Sequence, residues 1–189
     1  MDRISFFKMI GAISLIPSVA FSRLISMIKP GAGFKVNAGA DRFGQAISLF
    51  EGDTFYTKVS TKDTNGQMYV YESSRVKKGG PSLHTHFEQD ETWYVLEGEF
   101  LIRVGTEMYT AKTGDTVFGP RGIPHAFAKI GEGNARLLMT FQPAGKMEEF
   151  FIAVSEGKMK SLSPVQQDEF RKAHGFVAVG PAIDYQKTP

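Results

Sequence analysis

Three histidines and one glutamate, in two short stretches, are the residues of this chain best suited to chemistry. The first stretch is His84-Thr85-His86, with Glu91 five residues on. The second is Gly114-Asp115-Thr116-Val117-Phe118-Gly119-Pro120-Arg121-Gly122-Ile123-Pro124-His125. The chain holds four histidines in all, so three of them falling here calls for a cause. Side chains alternate faces along a strand, so His84 and His86 at i and i+2 point the same way and can offer two imidazoles to one ion. The gap before Glu91 leaves room for a turn and for a carboxylate delivered from the next strand. Three neutral imidazoles and one carboxylate form a mixed N/O set. Such a set suits one divalent first-row transition metal (Fe, Mn, Ni, Co, Cu or Zn) and leaves a position for water or substrate. A lone histidine is usually structural or solvated, and a His-x-His pair alone says little. Four ligand-type residues at strand-compatible spacing, beside glycine and proline turns, weigh against that bland reading.

To meet at one ion these residues must be carried by several strands. Short runs read as strands over Ala46–Phe50, Thr54–Ser60, Gln67–Ser73, Glu91–Glu97, Phe100–Val104, Met108–Ala111, Thr116–Phe118, His125–Ile130 and Arg136–Phe141. Breaks fall at Asn65-Gly66, Lys78-Gly79-Gly80-Pro81, Gly98, Thr113-Gly114 and Gly131-Glu132-Gly133-Asn134, and Gly105-Thr106 fits a two-residue hairpin with glycine first. Many short strands with no helix between them predict a sandwich or barrel. Later the pattern changes. Met147, Phe150, Phe151 and Val154 follow helical spacing. Ser163-Pro164-Val165-Gln166 is a helix start, with Ser as N-cap, Pro in the first turn and Gln three residues on; that helix should end near His174, with Gly175 as its stop. The expected organisation is a mainly all-β barrel over residues 35–145 and a C-terminal helical segment over 146–185, packed on it.

The bulk composition narrows the classes. At 189 residues, 42% hydrophobic and 22% charged, the chain reads as one domain with a real core, and its sixteen phenylalanines promise aromatic walls. The net charge is +2 and no basic block occurs, so no nucleic-acid partner is expected. With no cysteine, disulfides, thiolate catalysis and zinc–thiolate sites are excluded. Arg3 and Lys8 precede a charge-free stretch from Met9 to Ser22 that closes on Ala20-Phe21-Ser22. Residues 1–30 therefore read as a secretory leader, which would make the protein exported, periplasmic or secreted. Phe21, Leu24, Ile25 and Ile28 at helical spacing support the other reading, an N-terminal helix on a cytoplasmic protein. The apolar stretch is too short for a stable membrane span.

The two stretches resemble the two signature motifs of the cupin superfamily. The first motif is G-x5-H-x-H-x3,4-E-x6-G; here His84, His86, Glu91 and Gly98 fit, while Lys78 stands at the leading position and Gly79 follows it. The second is G-x5-P-x-G-x2-H-x3-N; Gly114, Pro120, Gly122 and His125 fit, and Lys129 replaces the asparagine. The motifs cover Lys78 to Lys129, and the flanking strands extend the likeness over most of residues 35 to 145. The resemblance implies a double-stranded β-helix, or jelly-roll barrel, with His84, His86, Glu91 and His125 as metal ligands. A complete three-His-one-Glu set is similar to that of quercetinase-like and acireductone dioxygenases, and Val179-Gly180-Pro181 is loosely similar to the ending of small bacterial quercetinase-like cupins. That likeness implies Glu91 as the catalytic group, deprotonating or orienting an enol-type substrate hydroxyl. Trp93, Val95, Phe127, Met139 and Phe141 would line an apolar pocket for a small, flat substrate. Two other readings stay open: a metal-dependent isomerase or epimerase of a sugar, and a non-catalytic small-molecule-binding cupin. Many cupins pair through their outer strands, so a homodimer is one option.

Other polar residues have bland readings beside functional ones. His174 closes a helix, where a cation favours the dipole. Arg121 lies in the loop before His125, able to meet an anion at the pocket mouth or simply to face water. Glu88 and Asp90 are candidates to support an imidazole N–H, or are solvated.

Overall fold

The alternating strands predict two inward-facing sheets, and the computed structural model, which describes residues 32–49 and 53–186, has them. The expected leader or N-terminal helix at 1–30 lies outside the described residues. The strands are β1 (Ile47–Ser48), β2 (Asp53–Val59), β3 (Tyr69–Arg75), β4 (Ser82–His86), β5 (Asp90–Glu97) and β6 (Glu99–Val104). They continue with β7 (Glu107–Lys112), β8 (Thr116–Gly119), β9 (His125–Lys129), β10 (Ala135–Gln142) and β11 (Phe176–Ala182). One sheet runs β1-β2-β3-β10-β5-β8 and the other β11-β4-β9-β6-β7, with every pairing antiparallel. This is a mainly-β jelly roll.

The core follows from the alternation. On β10 the odd positions Ala135, Leu137, Met139 and Phe141 are buried, and their neighbours are not. A side chain such as Leu137, Met139 or Phe141 gains about 1.5–3 kcal/mol from full burial. β10 lies between β3 and β5, with Phe141 opposite Tyr69 on one side and Glu91 on the other. That register carries the acid into the space between the sheets. The β6–β7 hairpin turns at Gly105-Thr106, as the sequence predicts, with Gly105 at φ +61°.

Two α-helices follow β10. α1 (Met147–Ser155) buries Met147, Phe150 and Val154, the face its spacing marks. α2 (Pro164–Ala173) begins with the expected capping box, in which Ser163 and Gln166 satisfy each other's backbone N–H groups, and its C-cap is His174. The helical reading of the C-terminal segment missed β11, which pairs with β4. Its signal was the short apolar, valine-bearing run Phe176-Val177-Ala178-Val179 just after Gly175, hidden because Gly180-Pro181 truncates it. Among the described residues no helix is long and apolar enough to cross a membrane.

Candidate metal centre

Three strands bring the four residues together. His84 and His86 lie on β4, His125 on β9 and Glu91 on β5, and His84 is the Cα partner of His125. One potential ligand atom from each residue lies within 4.8 Å of all the others. Glu91 Oε2 stands 3.1 Å from His125 Nε2, 3.4 Å from His86 Nε2 and 3.8 Å from His84 Nε2. Ligands bound at ~2.1 Å lie about 3–4 Å from one another around an ion, so these separations suit one cation.

The hydrogen bonding says which atoms face the centre. His84 Nδ1 donates to the Ser82 carbonyl at 2.8 Å, and His125 Nδ1 donates to the Ile123 carbonyl at 2.9 Å. A carbonyl can only accept, so each Nδ1 carries the proton and each Nε2 presents a lone pair inward. His86 Nε2, His125 Nε2 and Glu91 Oε2 are buried with no hydrogen-bond partner. Lone pairs gathered on one point, stripped of water and unpartnered, are costly by themselves. A cation at that point would satisfy all of them, so the residues fit a metal.

The charges agree with this reading. Burial alone pushes the Glu91 carboxyl up, but the close approach of His125, His84 and His86 outweighs it and holds the group well below the usual carboxylate range. Burial pushes His86 down, against the pull of Glu91, so that imidazole favours its neutral, ligating form. Tyr71 is pushed well up by burial and then by the charge of Glu91, so it remains a phenol.

Gly119 makes the close packing behind His125 achievable. β8 places it opposite Glu91. A Cβ there would sit 2.6 Å from Trp93 Cη2 and 3.3 Å from His125 Nδ1. Trp93 meets the His125 ring edge to face at 5.2 Å.

The ligand group opens on a cavity of about 380 Å³. Of the expected lining residues, Phe127, Met139 and Phe141 do line it; Trp93 and Val95 do not. Both share the inward face of β5 with Glu91, but they are fully buried against neighbouring side chains, Trp93 behind His125. Alternation assigns a face, not the depth along the barrel at which open space occurs. The sequence reading missed Phe55, Tyr71 and Phe176 in the wall, Phe150 and Phe151 from α1, and the polar pair Asp53 and Arg75. Phe176 is the Cα partner of His86, with ring centroids 5.3 Å apart.

The remaining polar residues have structural partners. Arg121 forks onto Asp90, at 2.9 and 2.7 Å, and donates to the Gln142 carbonyl, tying the loop before His125 to β5 and β10. Those hydrogen bonds pull Asp90 down to about 2. Glu88 is exposed. His174 donates to the Phe170 carbonyl and packs on that ring, away from the ligand group. The two motif departures meet each other: Gly79 and Lys129 exchange backbone hydrogen bonds of 2.9 Å, and the buried Lys129 ammonium donates to the Gly131 carbonyl at 2.5 Å.

Residues 73–141 match the family model described as Cupin domain. KdgF from Halomonas sp. superposes with a TM-score of 0.51 at 17% identity, covering 59% of this chain and 94% of that one. An RmlC-like cupin from Shewanella frigidimarina superposes at 0.50 and 20% identity, covering 65% and 99%. Two uncharacterized proteins are similar in sequence. MJ1618 of Methanocaldococcus jannaschii is 33% identical over 67 residues, which are 35% of this chain and 54% of that protein. SCO3923 of Streptomyces coelicolor is 38% identical over 55 residues, 29% and 51%. The chain thus spans about half the length of these curated relatives. Over residues 73–141 the chain is thus similar to a cupin domain, and it shares the jelly-roll fold of these solved structures. Within that fold it carries a His/His/Glu/His group that could hold a metal ion.

Proposed function

We propose that this protein is a metal-dependent dioxygenase acting on a small, flat, apolar substrate with an enol-type oxygen. The observation that carries the reading is the three-imidazole, one-carboxylate group, buried but for the partly exposed His84, opening on an aromatic cavity. His84, His86, Glu91 and His125 would hold one divalent first-row ion. When bound, such an ion supplies Lewis-acid polarisation of the substrate oxygen and redox access to O2. Glu91 takes up or orients the proton of the arriving hydroxyl. Phe127, Phe141 and Phe176 hold the flat substrate and keep water from it, and Tyr71 offers a phenolic O–H in the wall. Specificity of this kind is a property of the site rather than of the fold.

A second reading, a metal-dependent isomerase acting without oxygen, draws support from the polar Asp53–Arg75 pair in the same cavity. Oxygen uptake separates the two. Metal analysis of the protein from its native host, followed by oxygen-electrode assays with flavonols and other enols, should show metal-dependent uptake that Glu91→Ala abolishes. Turnover of a sugar with no oxygen consumed would replace the first reading by the second.

A further inference from the structure

At the other end of the cavity lies a second polar point. Arg75 and Asp53 are Cα partners on β3 and β2, both are buried, and both line the cavity. Arg75 Nε and Nη2 donate to the two Asp53 oxygens, and Nη1 donates to the Gly79 carbonyl. A guanidinium has five N–H donors. Three are engaged, so two remain on a residue that lines a largely apolar chamber. The guanidinium also sits 5.7 Å from the centroid of the Phe127 ring. His125 lies two residues before Phe127 on β9, a rise of about 6.6 Å. The two steps place the guanidinium up to about 12 Å from His125, beyond Phe127. Arg171, the other arginine in the wall, is matched by Asp168 and Gln167 on its own helix.

We propose that Arg75, held by Asp53, is a second recognition point for the ligand of this cavity. The ligand class is a planar, largely apolar monoanion up to about 12 Å long, with an anionic oxygen pair at one end and a neutral oxygen acceptor at the other. The charges set the two ends. Three neutral imidazoles and one carboxylate leave a divalent ion with one surplus positive charge, which a monoanion balances. The charge of Arg75 is already balanced by Asp53. Its spare N–H groups therefore ask for a carbonyl, ether or hydroxyl oxygen, while a second carboxylate would meet the repulsion of Asp53. Without such an oxygen, bound apolar surface would strip water from two donors and leave them unpaired, which is how a buried polar group discriminates between ligands.

This inference rests on the metal-centre reading, and its test tells the two apart. The full chain is loaded with nickel(II) and titrated calorimetrically with two near-isosteric probes, the 4′-acetyl and 4′-isopropenyl derivatives of biphenyl-4-carbohydroxamic acid. Each presents the same chelating head and the same length; they differ in C=O against C=CH2. The acetyl probe should bind about tenfold tighter. In Asp53→Asn/Arg75→Met, which removes both charges together and leaves neither stranded, the ratio should fall to near one. Equal binding of the two probes by the unmodified protein overturns the proposal and leaves the metal centre standing, as does a preference that persists in the double variant. Should neither probe bind in a nickel-dependent way, the metal-centre reading fails and takes this one with it. If the double variant does not fold, the two-probe comparison on the unmodified protein decides alone.

Discussion

Replacing Gly119 by alanine tests the packing that holds His125 in place. The added Cβ would stand 2.6 Å from Trp93 Cη2, 2.7 Å from Trp93 Cζ3 and 3.3 Å from His125 Nδ1. Carbon atoms in favourable contact lie about 3.5–4.0 Å apart, so the indole overlap is roughly 1 Å. Trp93 is fully buried with the His125 ring against it, so neither can retreat without disturbing the ligand group. Overpacking of this kind costs ~1–3 kcal/mol, and a rigid aromatic wall places Gly119→Ala in the upper half of that range. At about 2–4 °C per kcal/mol for a domain of this size, the thermal midpoint should fall by ~5–10 °C. Nickel affinity should fall with it, because relief by movement of His125 misplaces its Nε2. Scanning calorimetry with and without nickel(II) reads both effects. Trp93→Phe removes the two atoms that clash, so Gly119→Ala should cost far less in that background. An unchanged midpoint, or an equal cost in both backgrounds, would refute the packing argument.

Two further outcomes follow from the same geometry. A divalent metal at a hundred times its dissociation constant should stabilise the chain by ~2.7 kcal/mol, a shift that a chelator reverses and that His86→Ala removes; an equal shift in the variant would place the ion elsewhere. Burial pushes the Glu72 carboxyl up, but hydrogen bonds from Arg136 and Lys58 outweigh it, so its folded value lies below the usual 4.5. Its contribution is then fully present above 4.5 and lost as pH falls through the folded value. Glu72→Gln should therefore lower the midpoint at pH 7 and converge with the unmodified chain in acid; a gap that widens on acidification would contradict the sign.

The convergence of His84, His86, Glu91 and His125 was legible because each motif is local. Two-residue alternation puts His84 and His86 on one face, and the proline- and glycine-rich run before His125 announces a strand entered by a tight turn. The strand pattern and the Ser163 cap were legible for the same reason. The other half of the site was not. Trp93 shares the parity of Glu91, yet it fills the space behind His125 while the cavity opens toward Phe127 and Tyr71. Asp53, Phe150 and Phe176 stand far from the motifs in sequence and reach the cavity through β2, α1 and β11. Side-chain parity is written into each strand, so the sequence by itself determined which atoms face inward. Where inward atoms leave room depends on how two sheets and a helix pack on one another, which no single segment specifies. Only the tertiary structure decided that an aromatic chamber joins the histidines to a buried arginine.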